Sequence, residues 1–312
     1  MIPIYRSLAE IPATLDSTVA SIGNFDGVHR GHRQILGAAV AEARQHGLRA
    51  VAITFEPHPE HFLRPDQAPK RITPNDERLL LLAETGIDAI VVLPFDAAFA
   101  RLTAREFVEQ VLVRALAVRG LHEGGSFRFG HRAQAGVKEL ADFGTEFGFG
   151  LTVHDPVHVH GLEVSSSAIR AHVAAGNMKQ ARWMLGRPFV IRSTQVRDRG
   201  VGTKLLVPTI NLAAYTGLLP AFGIYVTRIT INGHCFQSVT SLGNRPTFEG
   251  AGFSVETHIL NFQPIELTEE TPLELEFLHY LREEIRFPSV EALRAEIDRD
   301  IARAKRYFRH AK

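Results

Sequence analysis

Two histidines three residues apart, His29 and His32, stand inside a glycine-rich run, Ser21-Ile-Gly-Asn-Phe-Asp-Gly-Val-His-Arg-Gly-His32. Imidazoles at that spacing share one face of a helical turn and can meet one anion. Gly23, Gly27 and Gly31 allow positive φ and a close approach of backbone to a ligand, while the first free N–H groups of a helix make a partly positive pocket for phosphate. The run holds no nucleophile and no lysine-bearing phosphate loop. Its chemistry is stabilisation of charge on a transferring phosphorus, without a covalent intermediate. A lone Gly-x-His would read as a plain strand-to-helix turn. Two glycines alternating with two histidines directly after a buried-type strand favour a nucleotide.

Other groups could join that site. Glu56-Pro-His-Pro59, just after Phe55 and carrying His58, reads by itself as a strand stop. Gly124-Gly-Ser-Phe-Arg-Phe-Gly130 is either a loop with packed aromatics or one that binds a ring through Phe127 and Phe129. Val164-Ser-Ser-Ser-Ala-Ile-Arg170 offers hydroxyls and a guanidinium at a helix start, which cap the helix or clamp a phosphate. Further along, Pro208-Thr-Ile-Asn211 places a hydroxyl and an amide two apart on an extended segment, where both can face a hard cation. Glu256 lies on a strand, where an inward carboxylate could act as general base toward a sugar-like hydroxyl. Gly200-Val-Gly202 could approach phosphates.

The elements that must position these groups follow from periodicity. Thr18–Ile22 reads as a strand and Arg33–His46 as a helix. Strands are predicted over 48–55, 87–93, 119–123 and 151–154, with helices after Thr73, after the Thr103-Ala-Arg-Glu106 capping box, and over 137–147. Alternating strands and helices imply a parallel sheet covered on both faces. Ligands sit at the carboxyl ends of such strands, where the polar segments of the first half all fall. After a short helix over 177–185, Leu185-Gly-Arg-Pro188 breaks the pattern. Alternating runs over 189–196, 223–231, 235–242, 254–261 and 273–281, with turn signals at Asn232-Gly233 and Gly243-Asn-Arg-Pro246, predict an antiparallel barrel. An amphipathic helix over 289–308 closes the chain, with Leu293, Ile297, Ile301 and Phe308 on its core face.

Bulk properties narrow the class. A chain of 312 residues, 45% hydrophobic and 22% charged, suggests two ordinary globular domains. A net charge of +1 without a Lys/Arg cluster argues against nucleic acid, and no apolar run reaches the length of a membrane span. The single cysteine, Cys235, excludes an intramolecular disulfide and a cysteine metal cluster. The amino end lacks a signal pattern, so a cytoplasmic enzyme without a membrane partner is expected; the oligomeric state is left open.

Gly23-Asn-Phe-Asp-Gly-Val-His-Arg-Gly-His32, Thr54-Phe-Glu-Pro-His-Pro59, Phe127-Arg-Phe-Gly130 and Ser165-Ser-Ser-Ala-Ile-Arg170 together resemble the adenylyltransferase half of the prokaryotic bifunctional riboflavin kinase/FAD synthetase family. Pro208-Thr-Ile-Asn211, Leu219-Pro-Ala-Phe-Gly-Ile-Tyr225, Leu242-Gly-Asn-Arg-Pro-Thr-Phe248 and Val255-Glu-Thr-His-Ile-Leu-Asn-Phe262 resemble its riboflavin kinase half. The resemblance implies a Rossmann-like α/β domain over residues 1–186 and a β-barrel kinase domain over 187–312. It implies phosphorylation of riboflavin to FMN and adenylylation of FMN to FAD, with ATP and Mg²⁺. On these positions, His29 and His32 would stabilise charge on the α-phosphate and pyrophosphate. Gly23, Asn24, Phe25, Asp26, Gly27, Gly31, Ser165, Ser166 and Arg170 would form the ATP site of the first domain, and Gly202 would approach nucleotide in the second. Phe55, His58, Phe127 and Phe129 would lie on the flavin side of the first domain and Arg282 on that of the second. Thr209 and Asn211 would bind Mg²⁺-nucleotide, and Glu256 would activate the ribityl hydroxyl. Ser126 stands where the family has an acidic or amide residue, and Ser193, Asp198, Thr203 and Leu206 alter the kinase's glycine loop. An FAD synthetase with an inactive kinase-like domain, a flavin- or nucleotide-binding regulator, and a nucleotidyltransferase with another acceptor therefore stand as alternatives.

Overall fold

The computed structural model describes residues 2–15, 17–196, 209–247, 250–261 and 267–310. The chain divides into two compact units, Met1–Ser166 and Ser167–Lys312.

The first unit is built on β1 (Ile4–Tyr5), β2 (Thr18–Ile22), α1 (Arg30–His46), β3 (Arg49–Glu56), α2 (Pro59–Leu63), α3 (Asn75–Ala83) and β4 (Ala89–Pro94). There follow α4 (Ala104–Phe107), which continues as π-helical turns over Val108–Ala115, then β5 (Val118–Gly124), β6 (Arg128–Phe129), β7 (Ala135–Gly136), α5 (Val137–Phe147), β8 (Gly150–His154), β9 (His158–Val159) and β10 (Leu162–Glu163). Six strands form a fully parallel sheet in the order β1-β4-β3-β2-β5-β8. The chain winds from β2 through β3 to β4, then crosses back to β5 and β8. The topological switch point therefore lies between β2 and β5.

Alternation assigns the two faces. Val19, Ala50, Ala52, Ile90 and Val92 pack against Leu36, Ala39 and Ala43 of α1 and Leu79 and Leu82 of α3. Ala20, Ile22, Val51, Ile53, Val91 and Leu121 pack on the other face against Phe107, Val108, Val111, Leu112 and Leu140. The period-two strand pattern thus serves both layers at once. The Thr103 capping box forms as expected, with Glu106 returning a bond to the Thr103 N–H. Thr73 is not the cap of α3: Pro74 occupies that position without a side-chain bond, and Thr73 instead ties the chain before the helix to Asp26 through its N–H.

The second unit holds most of α6 (Ser166–Ala174), then α7 (Met178–Leu185), β11 (Phe189–Ser193), β12 (Ile210–Asn211), β13 (Gly223–Ile231), β14 (His234–Thr247), β15 (Gly250–Ile259), β16 (Leu273–Arg282) and α8 (Val290–His310). The sheet order is β11-β16-β13-β14-β15-β12, all antiparallel. Bonds from Val196 N–H to Asn211 O (2.9 Å) and from Ala213 N–H to Thr194 O (2.8 Å) join its two edges, with a bridge at Gln195–Leu212. The sheet therefore curls round until its two ends meet, as a barrel requires, through the residues just after β11 and around β12.

Gly243-Asn-Arg-Pro246 is not a turn; β14 runs through it to Thr247. Pairing with β13 ends at Leu242, so beyond that point β14 has a ladder partner on the β15 side alone. A proline is tolerated where one edge needs no donor. Inside the barrel, Phe189, Ile191, Ile229, Leu275 and Phe277 surround a row of fully buried hydroxyls. Thr227 Oγ1 lies 2.8 Å from both Ser238 Oγ and Thr240 Oγ1, and Thr240 Oγ1 lies 2.9 Å from Thr257 Oγ1. On the outer face, Ile224, Val226, Val239 and Leu278 pack with Ala304, Ile301, Tyr307 and Phe308 of α8.

Candidate functional site

The first site sits at the switch point. The ladder between β2 and β5 pairs Ala20 with Leu121 and stops there. Two residues on, the Ile22 N–H is taken by the Glu123 side chain, Oε1 at 2.6 Å, instead of by a strand carbonyl. A carboxyl in place of backbone parts the two strand ends. A cavity of about 430 Å³ opens there, lined by Ser21 to Gly23, Phe25, His29, Gly31 and His32 on one side and by Glu123 to Phe127, His154 to Val157 and Glu163 to Ser166 on the other.

The turn from β2 into α1 holds left-handed backbone at Phe25 (φ 49°), Gly27 (84°) and Val28 (37°). For a β-branched residue such as Val28 that is a rare conformation, and strain of this kind collects where a backbone must meet a ligand. Full burial of Val28 and Phe25 against α1 and α3 holds it in place. Gly23 is required for a different reason: a Cβ there would lie 3.0 Å from the Phe25 ring.

His29 is the N-cap of α1, and its Nδ1 accepts the His32 N–H at 3.3 Å. That bond puts the proton of a neutral His29 on Nε2. The two imidazoles are stacked, centroids 3.6 Å apart and planes 15° from parallel, and the Phe25 ring meets His32 edge-on. Burial, then the neighbouring His29 and Arg78, hold the His32 pKa well below its ordinary value. His32 Nδ1 is buried without a hydrogen-bond partner. An anion at this helix start would offset the effect of His29 and Arg78 on His32 and give His32 Nδ1 a partner.

Asn24, Asp26 and Gly27 are not on the cavity wall; they hold the turn from behind. The Asp26 carboxylate accepts the N–H groups of Ile72 and Thr73 at 3.1 Å, and its carbonyl accepts Ser166 Oγ at 2.9 Å. The Asn24 carbonyl accepts Arg78 Nη1 at 2.6 Å. Arg78 is itself buried, bonded to Thr54 Oγ1, Phe55 O and Asn75 Oδ1, and paired with Glu56, which Arg71 grips with both arms at 2.9 Å. Ser165 and Ser166 line the cavity; Arg170 follows one turn later on α6.

Among the flavin-side residues, Phe127 borders the cavity, stacked on Phe129 at 5.6 Å. Phe129 is buried against Phe107, Phe55 packs with Phe95 and Phe99, and His58 caps α2 by accepting the Glu60 N–H. Glu123, Arg78 and His154 were not singled out from the sequence. A charged residue ending a buried strand, or interrupting the apolar face of a helix, was the available signal.

The second site lies on the outer face of the barrel, beneath α8. Val255 and Thr257 point into the barrel, so Glu256 between them points out, contrary to the inward carboxylate expected. It faces a cavity of about 360 Å³ together with Thr209, Ser241, His258, Arg282 and the α8 residues Leu293, Ile297 and Ile301. Asn211 stands directly opposite Glu256 across β12 and β15, and its Oδ1 is buried without a partner. Arg282 is fixed by Asp300 of α8 at 2.6 Å and lies over the Phe287 ring. Gly202, with Asp198, Thr203 and Leu206, lies outside the described residues.

A nucleotide-type cavity on a doubly wound sheet, followed by a barrel with a carboxylate and oxygen donors in a second cavity, defines a two-site phosphorus-transfer protein. Residues 11–168 match the FAD synthetase family and residues 185–308 the riboflavin kinase family. The chain is 34% identical over 304 residues to the bifunctional riboflavin kinase/FMN adenylyltransferase of Escherichia coli K12, covering 97% of this chain and 96% of that one. It is 35% identical over 303 residues, with the same coverage, to the protein of that description from Pseudomonas fluorescens. A crystal structure described as the macrolide-efflux protein of Streptococcus pneumoniae superposes with a TM-score of 0.87 at 26% identity, covering 99% of both chains. The chain belongs to the bifunctional riboflavin kinase/FMN adenylyltransferase family.

Proposed function

We propose that this enzyme makes FMN from riboflavin and ATP in its second unit, and FAD from FMN and ATP in its first. Family membership along both halves supports both activities, and nothing favours an inactive kinase domain, a regulator or another acceptor. The observation that carries the first activity is the stacked His29–His32 pair at the start of α1, on the wall of the switch-point cavity.

In adenylyl transfer, an oxygen of the FMN phosphate attacks the α-phosphorus of ATP. A P–O bond forms there as the bond to the β-phosphate oxygen breaks, and pyrophosphate leaves with the electron pair. His29 Nε2–H and His32, with the N–H groups of the first turn of α1, meet the charge that grows on the phosphate oxygens. Ser165, Ser166 and Arg170 hold the triphosphate, and Phe127 flanks the flavin.

In phosphoryl transfer, the ribityl 5′-hydroxyl attacks the γ-phosphorus and ADP departs. Glu256 takes the hydroxyl proton, and Arg282, fixed by Asp300, closes the flavin side. Thr209 and the unpartnered Asn211 Oδ1 are oxygen donors of the kind Mg²⁺ takes. With the ATP phosphates they would hold it, where it supplies neutralisation of polyphosphate charge.

We place the boundary between the two activities near residue 186, where Gly186 ends α7 in a left-handed cap and the first barrel strand follows. Partners are small molecules rather than nucleic acid, in keeping with a net charge of +1, and the use of ATP supports a cytoplasmic setting. Purified protein given ATP and Mg²⁺ with riboflavin should yield FMN and FAD, and with FMN should yield FAD. Absence of product from both flavins would overturn the reading.

A further inference from the structure

Beside the His29–His32 pair, the first unit carries a second histidine pair that the reading above does not use. His122 of β5 is buried, and its Nε2 lies 2.9 Å from Glu42 Oε2 of α1. Its Nδ1 lies 2.9 Å from His154 Nε2 at the end of β8. His154 in turn lines the switch-point cavity, which Glu42 does not. The chain Glu42–His122–His154 therefore runs from a helix flank, along the face of the sheet that α1 covers, to the wall of the nucleotide site.

The direction of the protons along that chain follows from its carboxylate end. Glu42 can only accept, so His122 Nε2 donates to it. With one proton on each ring, His122 Nδ1 accepts and His154 Nε2 donates. The remaining lone pair of His154 is then on Nδ1, on a ring that lines the cavity. Burial and the adjacent His122 lower the His154 pKa against a smaller opposing effect of Asp155, and so favour the neutral ring. Asp155, on the same wall, is an acceptor too. A wall of acceptors turns a polyphosphate away, toward the helix start with its N–H groups and imidazoles. It favours a part of the ligand that presents hydrogen-bond donors.

We propose that His154, held in one tautomer by Glu42 through His122, is the acceptor that reads the exocyclic amine of the nucleobase and so makes the adenylyl site selective for ATP over 6-oxopurine triphosphates. This inference rests on the first unit being an ATP-dependent FMN adenylyltransferase. His154 is a specificity residue in this scheme, and Glu42 and His122 position it.

The test compares kcat/KM for transfer to FMN from ATP, from ITP, which has a 6-oxo group and no exocyclic amine, and from 2′-deoxy-ATP, which lacks a ribose hydroxyl. Wild type should prefer ATP to ITP by about thirtyfold or more, since a site built around a hydrogen bond rejects the analogue lacking it. His154→Leu should lower the ATP value at least about tenfold and leave ITP within about threefold, so that the preference collapses. His154→Gln, which restores an acceptor, should recover part of it. Glu42→Gln introduces an amide that can donate as well as accept, and should weaken the ATP preference severalfold although residue 42 is outside the cavity. That readout does not depend on His154→Leu folding. An unchanged ATP-to-ITP ratio in both His154→Leu and Glu42→Gln would overturn the proposal. So would a collapse seen with 2′-deoxy-ATP and not with ITP, which would move the contact to the sugar. Wild type forming no FAD from FMN and ATP would instead sink the reading on which the inference rests.

Discussion

His32 is a base whose surroundings disfavour its charge until an anion arrives, and Glu123 is an acid that burial keeps from ionising. For His32, replacement by Ala should lower kcat for FAD formation from FMN by about 10²–10⁴, as should His29→Ala, with flavin affinity near wild type by fluorescence titration. Turnover at the wild-type rate in either variant would remove the assigned role. The two groups also give opposite pH dependences to stability. Burial raises the Glu123 pKa well above its unfolded value of 4.5, so its contribution is complete below that pH and lost as pH rises through the raised value. His32 is lowered from 6.5, so its contribution is complete above that pH and lost as pH falls through the lowered value. Glu123→Gln keeps an acceptor for the Ile22 N–H and cannot ionise. Its urea midpoint should therefore gain on wild type as pH rises above about 4.5; a pH-independent difference would show that the carboxyl does not titrate with folding. The histidines were legible because three-residue spacing at a helix start has one geometric meaning. Glu123 and Arg78 were not, because a single charge in an apolar element acquires its partner only when distant segments meet, 101 residues away for the Glu123–Ile22 bond and 54 for Arg78–Asn24.

Within the elements, two helical glycines separate propensity from packing. Gly37 lies exposed in α1 with nothing within 4 Å of an added Cβ, so Gly37→Ala should stabilise by about 0.5–1 kcal/mol, the ordinary helix preference. At Gly144 in α5 the same Cβ would lie 2.7 Å from the Phe149 carbonyl, a backbone atom in the turn that leads into β8. Gly144→Ala should destabilise by about 1–3 kcal/mol despite the better propensity, as measured by denaturant unfolding. Equal shifts in the two variants would mean that the turn after α5 yields at little cost. The helices and strands themselves were legible from their period: the helix over 137–147 and the strand over 223–231 stand where they were expected. The π-helical turns over Val108–Ala115 were not, since the same apolar residues satisfy either winding, and the strand character of Gly243-Asn-Arg-Pro246 depends on which neighbour β14 keeps.

For the whole molecule, two compact units with a cavity in each predict separable chemistry. Glu256→Ala should lower FMN formation from riboflavin by about 10²–10⁴ and leave FAD formation from supplied FMN at its wild-type rate, measured by chromatography of the flavins. Wild-type riboflavin phosphorylation in that variant would remove Glu256 from the mechanism. Asp300→Ala, which takes from the half-buried Arg282 guanidinium its closest carboxylate and leaves it Glu296, should cost about 1–3 kcal/mol in the second unit, read as an early transition in denaturant. The α/β and barrel characters were both legible, because alternation in the second half contrasts with mixed strand and helix periods in the first. Barrel closure was not. It rests on single-residue pairings around Gln195 and Leu212, too short to leave a pattern.

The row of hydroxyls inside the barrel behaves as one object. Thr227 and Thr240 each contact two other hydroxyls of the row, yet each has only one proton to give. Two arrangements leave the spare proton at an end: all donating toward Thr257, or all donating toward Ser238. Any other either leaves a proton in the middle of the row or breaks one of its three contacts. The four side chains therefore reorient together, as a single dipole with two settings, and a charge brought to either end of the row sets all four at once.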